Sequence, residues 1–138
     1  MSAADQVREL IKSEVVPVLR GMGFKGSFPH FYRERGSHVD LVWFTFGSAG
    51  TSFAVELSFA DVRRANVYFR PETPPSKLRV AQTKTRHRLG SGEGGDFWFA
   101  FKGERHRGMT GQPAELISEV LELLPTEAET WWRAQNAG

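Results

Sequence analysis

The stretch of sequence that decides the fold covers residues 38–60 and reads HVDLVWFTFGSAGTSFAVELSFA. In its second half, large apolar residues alternate with smaller or polar ones, which is the period-two pattern of a half-buried strand. Residues 41–46 are almost continuously apolar, as in a strand that is covered on both faces. Because the link at 47–50 is short and contains glycine, we predict that the two strands form an antiparallel hairpin.

The chain ahead of the hairpin predicts a helix. Across residues 5–22, apolar side chains recur at spacings of three and four, with Ser2 or Asp5 available as the cap and Gly23 as the stop. Pro17 lies inside this pattern and removes one backbone donor. We therefore expect it to kink the helix or to split off its last turn.

One more strand is predicted at residues 28–35, and it turns into the hairpin at Gly36. Since Pro29 cannot donate to a strand ladder, this is an edge strand or one that starts late. The first half of the sheet is thus a three-stranded meander.

The section after the hairpin has a weaker pattern. We predict a turn or bulge at 61–66, a short strand at 67–70 and an irregular loop at 71–75, where three prolines prevent regular pairing. For residues 78–89 the pattern allows two predictions, a half-exposed strand or a short helix. The glycine-rich run at 90–95 predicts a hairpin turn, residues 97–101 an apolar strand, and residues 103–111 a surface loop.

The C-terminal segment is predicted to be helical. A helix starts at Pro113 with an apolar stripe and ends at Pro125. Thr126 and Glu129 then have the spacing of a capping box for a last short helix. On that helix the adjacent Trp131 and Trp132 point about 100° apart, so we expect one to pack under the hairpin and the other to stay half exposed.

These elements predict one α+β domain over residues 1–138. An antiparallel sheet of about five strands has an apolar face, and the N- and C-terminal helices are the elements able to cover it. The fold class is therefore α+β, with two layers and both helical segments packed on one face.

Composition narrows the class of protein. The 138 residues include no cysteine, so disulfides, thiol nucleophiles and thiolate metal sites are excluded. No apolar run approaches the ~20 residues of a membrane helix, and the N-terminus lacks a signal-peptide pattern. We expect a cytoplasmic protein without a membrane segment.

The formal net charge of +2 conceals an uneven distribution. Residues 60–110 carry eleven basic and five acidic side chains, whereas residues 111–138 carry one basic and five acidic. One interpretation is that these two parts partly neutralise each other in the folded protein.

Several short motifs resemble the domain-of-unknown-function family 4304. They are Val16-Pro17 with Leu19, Gly23-Phe24-Lys25, Phe31-Tyr32-Arg33, and Arg86-His87-Arg88-Leu89-Gly90 followed by Phe97-Trp98. The resemblance spans roughly residues 5–135. It implies a small bacterial α+β domain and implies no activity, cofactor or catalytic residue.

No arrangement of residues indicates catalysis. His30, His38, His87 and His106 have no metal-binding spacing with one another, and no serine lies in a nucleophile elbow. Asp40 and Glu56 would be a carboxylate pair if they faced each other across the hairpin, although such acids are more often exposed, or paired with Arg33 or Arg35 on the adjacent strand. We expect no catalytic residue, no metal and no cofactor.

The basic residues carry the main functional prediction. Two Arg-His-Arg triplets supply Arg86, Arg88, Arg105 and Arg107, and they are flanked by Lys77, Arg79, Lys84 and Lys102. Alternate guanidinium groups would line one sheet face if residues 86–88 and 97–101 were neighbouring strands. Trp98 or Tyr68 would add stacking for single-stranded nucleic acid. We expect a non-enzymatic binding module that holds a protein partner or polyanion, nucleic acid included. The candidate partners also include a second copy of the chain, in a homodimer.

The alternative is a small-ligand protein or an enzyme. Its site would lie in a cleft between the sheet and the C-terminal helices, around Arg33, Asp40, Glu56 and Arg88. Arg33 is also a candidate binding residue of the first hypothesis.

Overall fold

The described part of the chain, residues 1–36, 38–103 and 107–136 of a computed structural model, contains a sheet of seven strands. The strands are β1 (Lys25–Ser27), β2 (His30–Arg35), β3 (His38–Phe46), β4 (Ser52–Ala60), β5 (Arg86–Arg88), β6 (Trp98–Ala100) and β7 (Gly108–Thr110). The predicted hairpin is its centre: β3 and β4 pair antiparallel over their length, and Gly47 N–H donates to the Ser52 carbonyl to close the turn.

The strand order is β1-β2-β3-β4-β6-β7, and β5 pairs with β4. All pairs are antiparallel except β6 and β7, which are parallel. The predicted α+β class with its antiparallel meander is therefore confirmed. The sheet is larger than the five strands expected, because the short strands β1 and β7 extend its edges.

The predicted hairpin at the glycine-rich run is wrong. β5 pairs with residues 56–58 of β4, and β6 pairs with Ser52 and Phe53 of the same strand. The glycines therefore join two strands that follow each other along one edge of β4. Glycine content predicts a change of direction, but it does not predict which strand the chain pairs with afterwards.

Helices cover one face of the sheet, as predicted. They are α1 (Ala3–Leu10), α2 (Val16–Gly21), α3 (Pro113–Leu123) and α4 (Glu129–Asn136). Their apolar stripes pack with alternate residues of β2, β3 and β4 in one buried cluster, which includes Leu19, Phe44, Val55 and Trp132. Trp132 is buried and donates to the Ser58 carbonyl, while Trp131 is half-buried, as expected.

Each helical segment has a wide π-helical turn at or just before its internal proline. The turns are Ile11–Val15, just before Pro17, and Leu124–Ala128, which contains Pro125. The expected interruption at Pro17 is confirmed. The expected end at Pro125 and the capping box at Thr126 are wrong, because Thr126 Oγ1 donates to the Glu122 carbonyl 2.7 Å away and the helical chain continues.

The section after β4 is mostly irregular. Residues 67–70 are not a strand and form only a bridge from Val67 to Thr83. Residues 78–89 contain both a short 3₁₀ turn, Val80–Gln82, and the strand β5. Part of the predicted loop 103–111 is the strand β7, and residues 104–106 lie outside the described part of the chain.

This irregular section packs on the face of the sheet that the helices leave uncovered. A second apolar cluster unites Val67, Leu78 and Val80 with Val39, Leu41 and Ala60 of the hairpin. Every residue of β4 is consequently buried. Within the described residues, no helix has both the length and the apolar character needed to cross a membrane.

Candidate functional site

The basic side chains that follow the hairpin lie on the face away from the helices. We call residues 61–86 the covering segment, because the second apolar cluster holds it against that face. It contains two acidic residues and seven basic ones: Arg63, Arg64, Arg70, Lys77, Arg79, Lys84 and Arg86. None of the seven forms a salt bridge within the part of the chain that the structure describes.

Three of these arginines hold the irregular backbone in place. Arg64 donates to the carbonyls of residues 71 and 73, Arg79 to those of residues 76 and 78, and Arg86 to those of residues 81 and 83. Carbonyl oxygens satisfy the N–H donors but do not neutralise the positive charge. The covering segment is therefore ordered by the same groups that make it basic.

A surface cleft of about 550 Å³ lies in the covering segment. Arg70, Lys77 and Arg79 line it together with a single acidic residue, Glu72. Arg70 has φ of 52°, in the left-handed region that a non-glycine residue adopts at a cost. The side chains of Arg70 and Lys77 make no hydrogen bond among the described residues, so both remain available to an anion.

The positive charge of Arg79 in the cleft also acts on His30 in the sheet. His30 on β2 stacks against Trp43, with ring centroids 5.9 Å apart. Its pKa is lowered, first because burial disfavours the imidazolium and then because of the charge of Arg79.

The predicted pair Arg86 and Arg88 does project from one face of β5, away from the helices. His87 between them faces the helices and contacts Glu127. Arg88, however, is neutralised within the fold: it contacts Glu56 at 3.4 Å and Asp96 at 2.8 Å, and its guanidinium lies 4.8 Å from the Trp98 ring centroid. Trp98 therefore stacks with Arg88 in this structure.

The second triplet is described only in part. Arg105 and His106 lie outside the described residues, and Arg107 is exposed with its guanidinium against Gly95. β5 and β6 do not pair, so the expected row of arginines on neighbouring strands is not formed.

Arg33 lies on the opposite side of the sheet, where it is buried. Its guanidinium donates to Asp40 at 2.8 Å, to Glu129 of α4 and to the Met22 carbonyl. Arg35 contacts the same two carboxylates. Arg33 therefore ties the helices to the sheet and is not accessible to a partner.

The residues of the alternative hypothesis do not share a cleft. Asp40 is on the helix side with Arg33, whereas Glu56 is on the other side with Arg88. Their register confirms this, because Asp40 is opposite Phe59 and Glu56 is opposite Trp43. The predicted carboxylate pair of Asp40 and Glu56 is therefore wrong. The expected pairing of Asp40 with an arginine of the adjacent strand is confirmed.

Burial and ion pairing shift the two carboxylates in opposite directions. Burial raises the pKa of Asp40, against the effect of the Arg33 hydrogen bond. For Glu129, burial acts in the same upward direction, but the hydrogen bonds from Arg33 and Arg35 outweigh it and lower the pKa.

The basic part at residues 60–110 and the acidic part that follows it share one ion pair among the described residues, His87 with Glu127. Among the described residues, the acids after residue 110 that form ion pairs are Glu129, with Arg33 and Arg35, and Glu127, with His87. The positive charge of the covering segment and the negative charge of the C-terminal helices remain on opposite faces of the sheet.

A metal site is not indicated. The described residues contain no group of three or more His, Cys, Asp or Glu side chains placed to hold a metal ion.

Sequence reasoning named Lys77 and Arg79 only as residues that flank the Arg-His-Arg triplets, and it did not include Arg70. The excess of basic residues in 60–110 was the available signal, but the prolines at 71, 74 and 75 hid any period. Only the packing of Leu78 and Val80 on the sheet shows which way this segment faces.

Comparison with known proteins gives a family. The family model described as "Domain of unknown function (DUF4304)" matches residues 15–134 and so includes α2, the whole sheet and most of the C-terminal helical segment. No curated protein and no solved structure matches the chain.

Proposed function

The chain belongs to the DUF4304 family of domains of unknown function, and from this premise we propose that it is a non-enzymatic binding module whose covering segment holds a polyanion. One observation carries the proposal: seven basic side chains of residues 61–86 lack an acidic partner among the described residues. An uncompensated basic surface attracts phosphate or carboxylate chains and releases their counterions on binding.

The cleft between Arg70, Lys77 and Arg79 is the centre of the proposed surface. Arg79 is oriented by its bonds to backbone carbonyls, which reduces the ordering cost of contacting an anion. Arg88 contributes little to this surface, because Glu56 and Asp96 already compensate its positive charge.

The test is binding of fluorescent mixed-sequence single-stranded and double-stranded DNA, titrated with salt. We expect micromolar affinity that falls steeply with salt. The double variant Arg70→Gln/Lys77→Gln should bind about tenfold more weakly and reduce the salt slope on single strands by about 1.4.

The matched control is Lys25→Gln/Arg133→Gln, which removes the same charge from the edge strand β1 and from α4. Both residues are exposed and make no side-chain hydrogen bond among the described residues. Equal losses in the two variants would mean that net charge alone governs binding. Failure of both DNA and polyglutamate to bind at about 50 mM salt would contradict the proposal.

The finer predictions about this protein stay predictions. They are a bacterial origin, a cytoplasmic location, the absence of a catalytic activity, and a protein partner or a second copy of the chain in place of a polyanion.

A further inference from the structure

A second cleft lies on the other side of the sheet, between β5, the glycine-rich run and α4. Its volume is about 430 Å³, within the size range of small-molecule sites. It is lined by His87, Gly92, Thr126, Glu127, Thr130, Trp131 and Ala134, so none of its lining residues is a lysine or an arginine.

Three contacts hold the polar groups of this cleft in place. His87 Nε2 lies 3.0 Å from Glu127 Oε2, and the same oxygen accepts the Gly90 N–H at 2.8 Å. The His87 ring stacks on Trp131, with centroids 5.6 Å apart and planes 18° apart. The imidazole and the carboxylate are therefore oriented before any ligand arrives.

Gly90 is needed for this arrangement. It has φ of 97°, and a Cβ at this position would lie 2.6 Å from the Phe97 ring. The motif Arg86-His87-Arg88-Leu89-Gly90 thus places His87 and the Gly90 N–H in contact with the Glu127 carboxylate of the C-terminal segment.

Two of the groups that stay unused in the cleft are hydrogen-bond acceptors, beside the Thr130 hydroxyl, which can donate or accept. Because Glu127 accepts from Nε2–H, a neutral His87 presents the lone pair of Nδ1. Nδ1 and the second oxygen of Glu127, Oε1, have no hydrogen-bond partner among the described residues, and neither atom is fully enclosed.

The surroundings favour a positive ligand. Residues 111–136 carry five acidic side chains, of which Glu129 is compensated by Arg33 and Arg35. The one basic residue of this segment, Arg133, does not line the cleft. An indole ring attracts cations through its π face and packs well against apolar groups. Two acceptors, a negative field and an aromatic wall together complement an ammonium group on an apolar body.

We propose that this cleft binds a small organic amine. The ammonium donates to Glu127 Oε1 and His87 Nδ1, and the apolar part of the ligand packs against Trp131 and Ala134. This site is on the opposite side of the sheet from the covering segment, and it does not depend on binding of a polyanion.

Benzylamine is the probe, followed by the ¹H–¹⁵N NMR signals of the tryptophan indoles and of Gly92. We expect saturable shifts of Trp131 and Gly92 with a Kd of about 1 mM, as suits a ligand of this size. Benzyl alcohol and benzoate should bind at least about tenfold more weakly, because they lack the cation.

Glu127→Gln should weaken benzylamine binding at least about tenfold, whereas Glu122→Gln should not. The control removes the same charge one turn earlier from an exposed residue that does not line the cleft. Ala134→Leu narrows the cleft without touching the His87–Glu127 contact, and it should abolish the shifts even if Glu127→Gln proves unstable.

Three results would overturn the proposal. They are no saturable shift up to about 20 mM benzylamine, some twenty times the expected Kd, equal binding of benzyl alcohol, or unchanged binding in Ala134→Leu. The DNA experiment with Arg70→Gln/Lys77→Gln is unaffected by any of them, so the two proposals fail separately.

Discussion

Arg33, Arg35, Asp40 and Glu129 form a charged cluster between the sheet and α4. Asp40 is fully buried, and its Oδ1 has no hydrogen-bond partner among the described residues. An ion pair in such a place is costly to desolvate, but removing one member leaves the others uncompensated. The cluster therefore makes the docking of α4 on the sheet depend on charge.

Glu129→Gln should reveal this dependence. The lowered pKa of Glu129 means that its ionised form stabilises the folded state above the ordinary glutamate pKa, and that this stability is lost as pH falls through the folded pKa. The variant should be about 2 kcal/mol less stable than the parent at pH 7 and close to it in acid, measured by urea unfolding.

The raised pKa of Asp40 makes stability depend on pH in the opposite direction. Its protonated form is the one that favours the folded state, and this contribution is lost as pH rises through the folded pKa. Because the charge of Glu129 contributes to this raised pKa, the Asp40 effect is smaller in the variant and cancels only in part in the comparison. Glu34→Gln is the control, since Glu34 is exposed on β2. A stability difference between Glu129→Gln and the parent that does not change with pH would contradict this account.

At the scale of elements, the two helical segments accommodate an internal proline in the same way. Each contains a proline that cannot donate to the preceding turn, and each has a π-helical turn there. The rules for helix ends predict a stop at Pro125. They fail because the apolar residues on both sides of it, Leu124 and Trp132, are buried in one core, which favours a continuous helical path.

The parallel pair β6 and β7 depends on one glycine. A Cβ on Gly108 would collide with the Trp98 carbonyl oxygen of the paired strand, whereas a Cβ on Gly111 would meet its nearest atoms at 3.6 Å. Gly108→Ala should lower the free energy of unfolding by about 1–3 kcal/mol through overpacking.

Gly111→Ala is the matched control and should change the free energy of unfolding by less than about 0.5 kcal/mol. Urea unfolding of both variants, with hydrogen exchange of the Met109 and Thr110 amides, measures the effect. Equal stability of the two variants would show that β7 is free to move away from β6.

For the whole molecule, the covering segment makes the sheet a layer that is buried on both faces. Leu78 is 1% exposed although it lies outside the sheet and the α-helices, between the short 3₁₀ turns Pro75–Lys77 and Val80–Gln82. Leu78→Ala should lower the free energy of unfolding by about 2–5 kcal/mol, as for a core leucine. The same unfolding midpoint should be seen by far-UV and near-UV circular dichroism.

Val62→Ala is the comparison, because Val62 is 58% exposed on the same segment. Its effect should stay within about 0.5 kcal/mol. If Leu78→Ala were equally mild, the covering segment would be a loop that unfolds separately from the sheet.

The candidate sites show where sequence reasoning succeeds and fails. Charge counting located the basic surface correctly in the middle of the chain, but it favoured Arg88 because the triplet is conspicuous. Glu56 on β4 and Asp96 ahead of β6 contact Arg88, and no pattern in the sequence around Arg88 predicts these contacts. The His87–Glu127 contact joins residues forty positions apart and was missed for the same reason.

The sequence by itself determined the elements whose pattern is local. Alternation defines the hairpin, the three-to-four spacing defines the two helical segments, and the charge excess defines a basic middle section. Only the tertiary structure decided that the glycine-rich run joins two strands on one edge, that Asp40 and Glu56 lie on opposite faces, and that residues 61–86 cover the sheet. These features depend on contacts between distant segments, whose energies come from packing and ion pairing and leave no period in the chain.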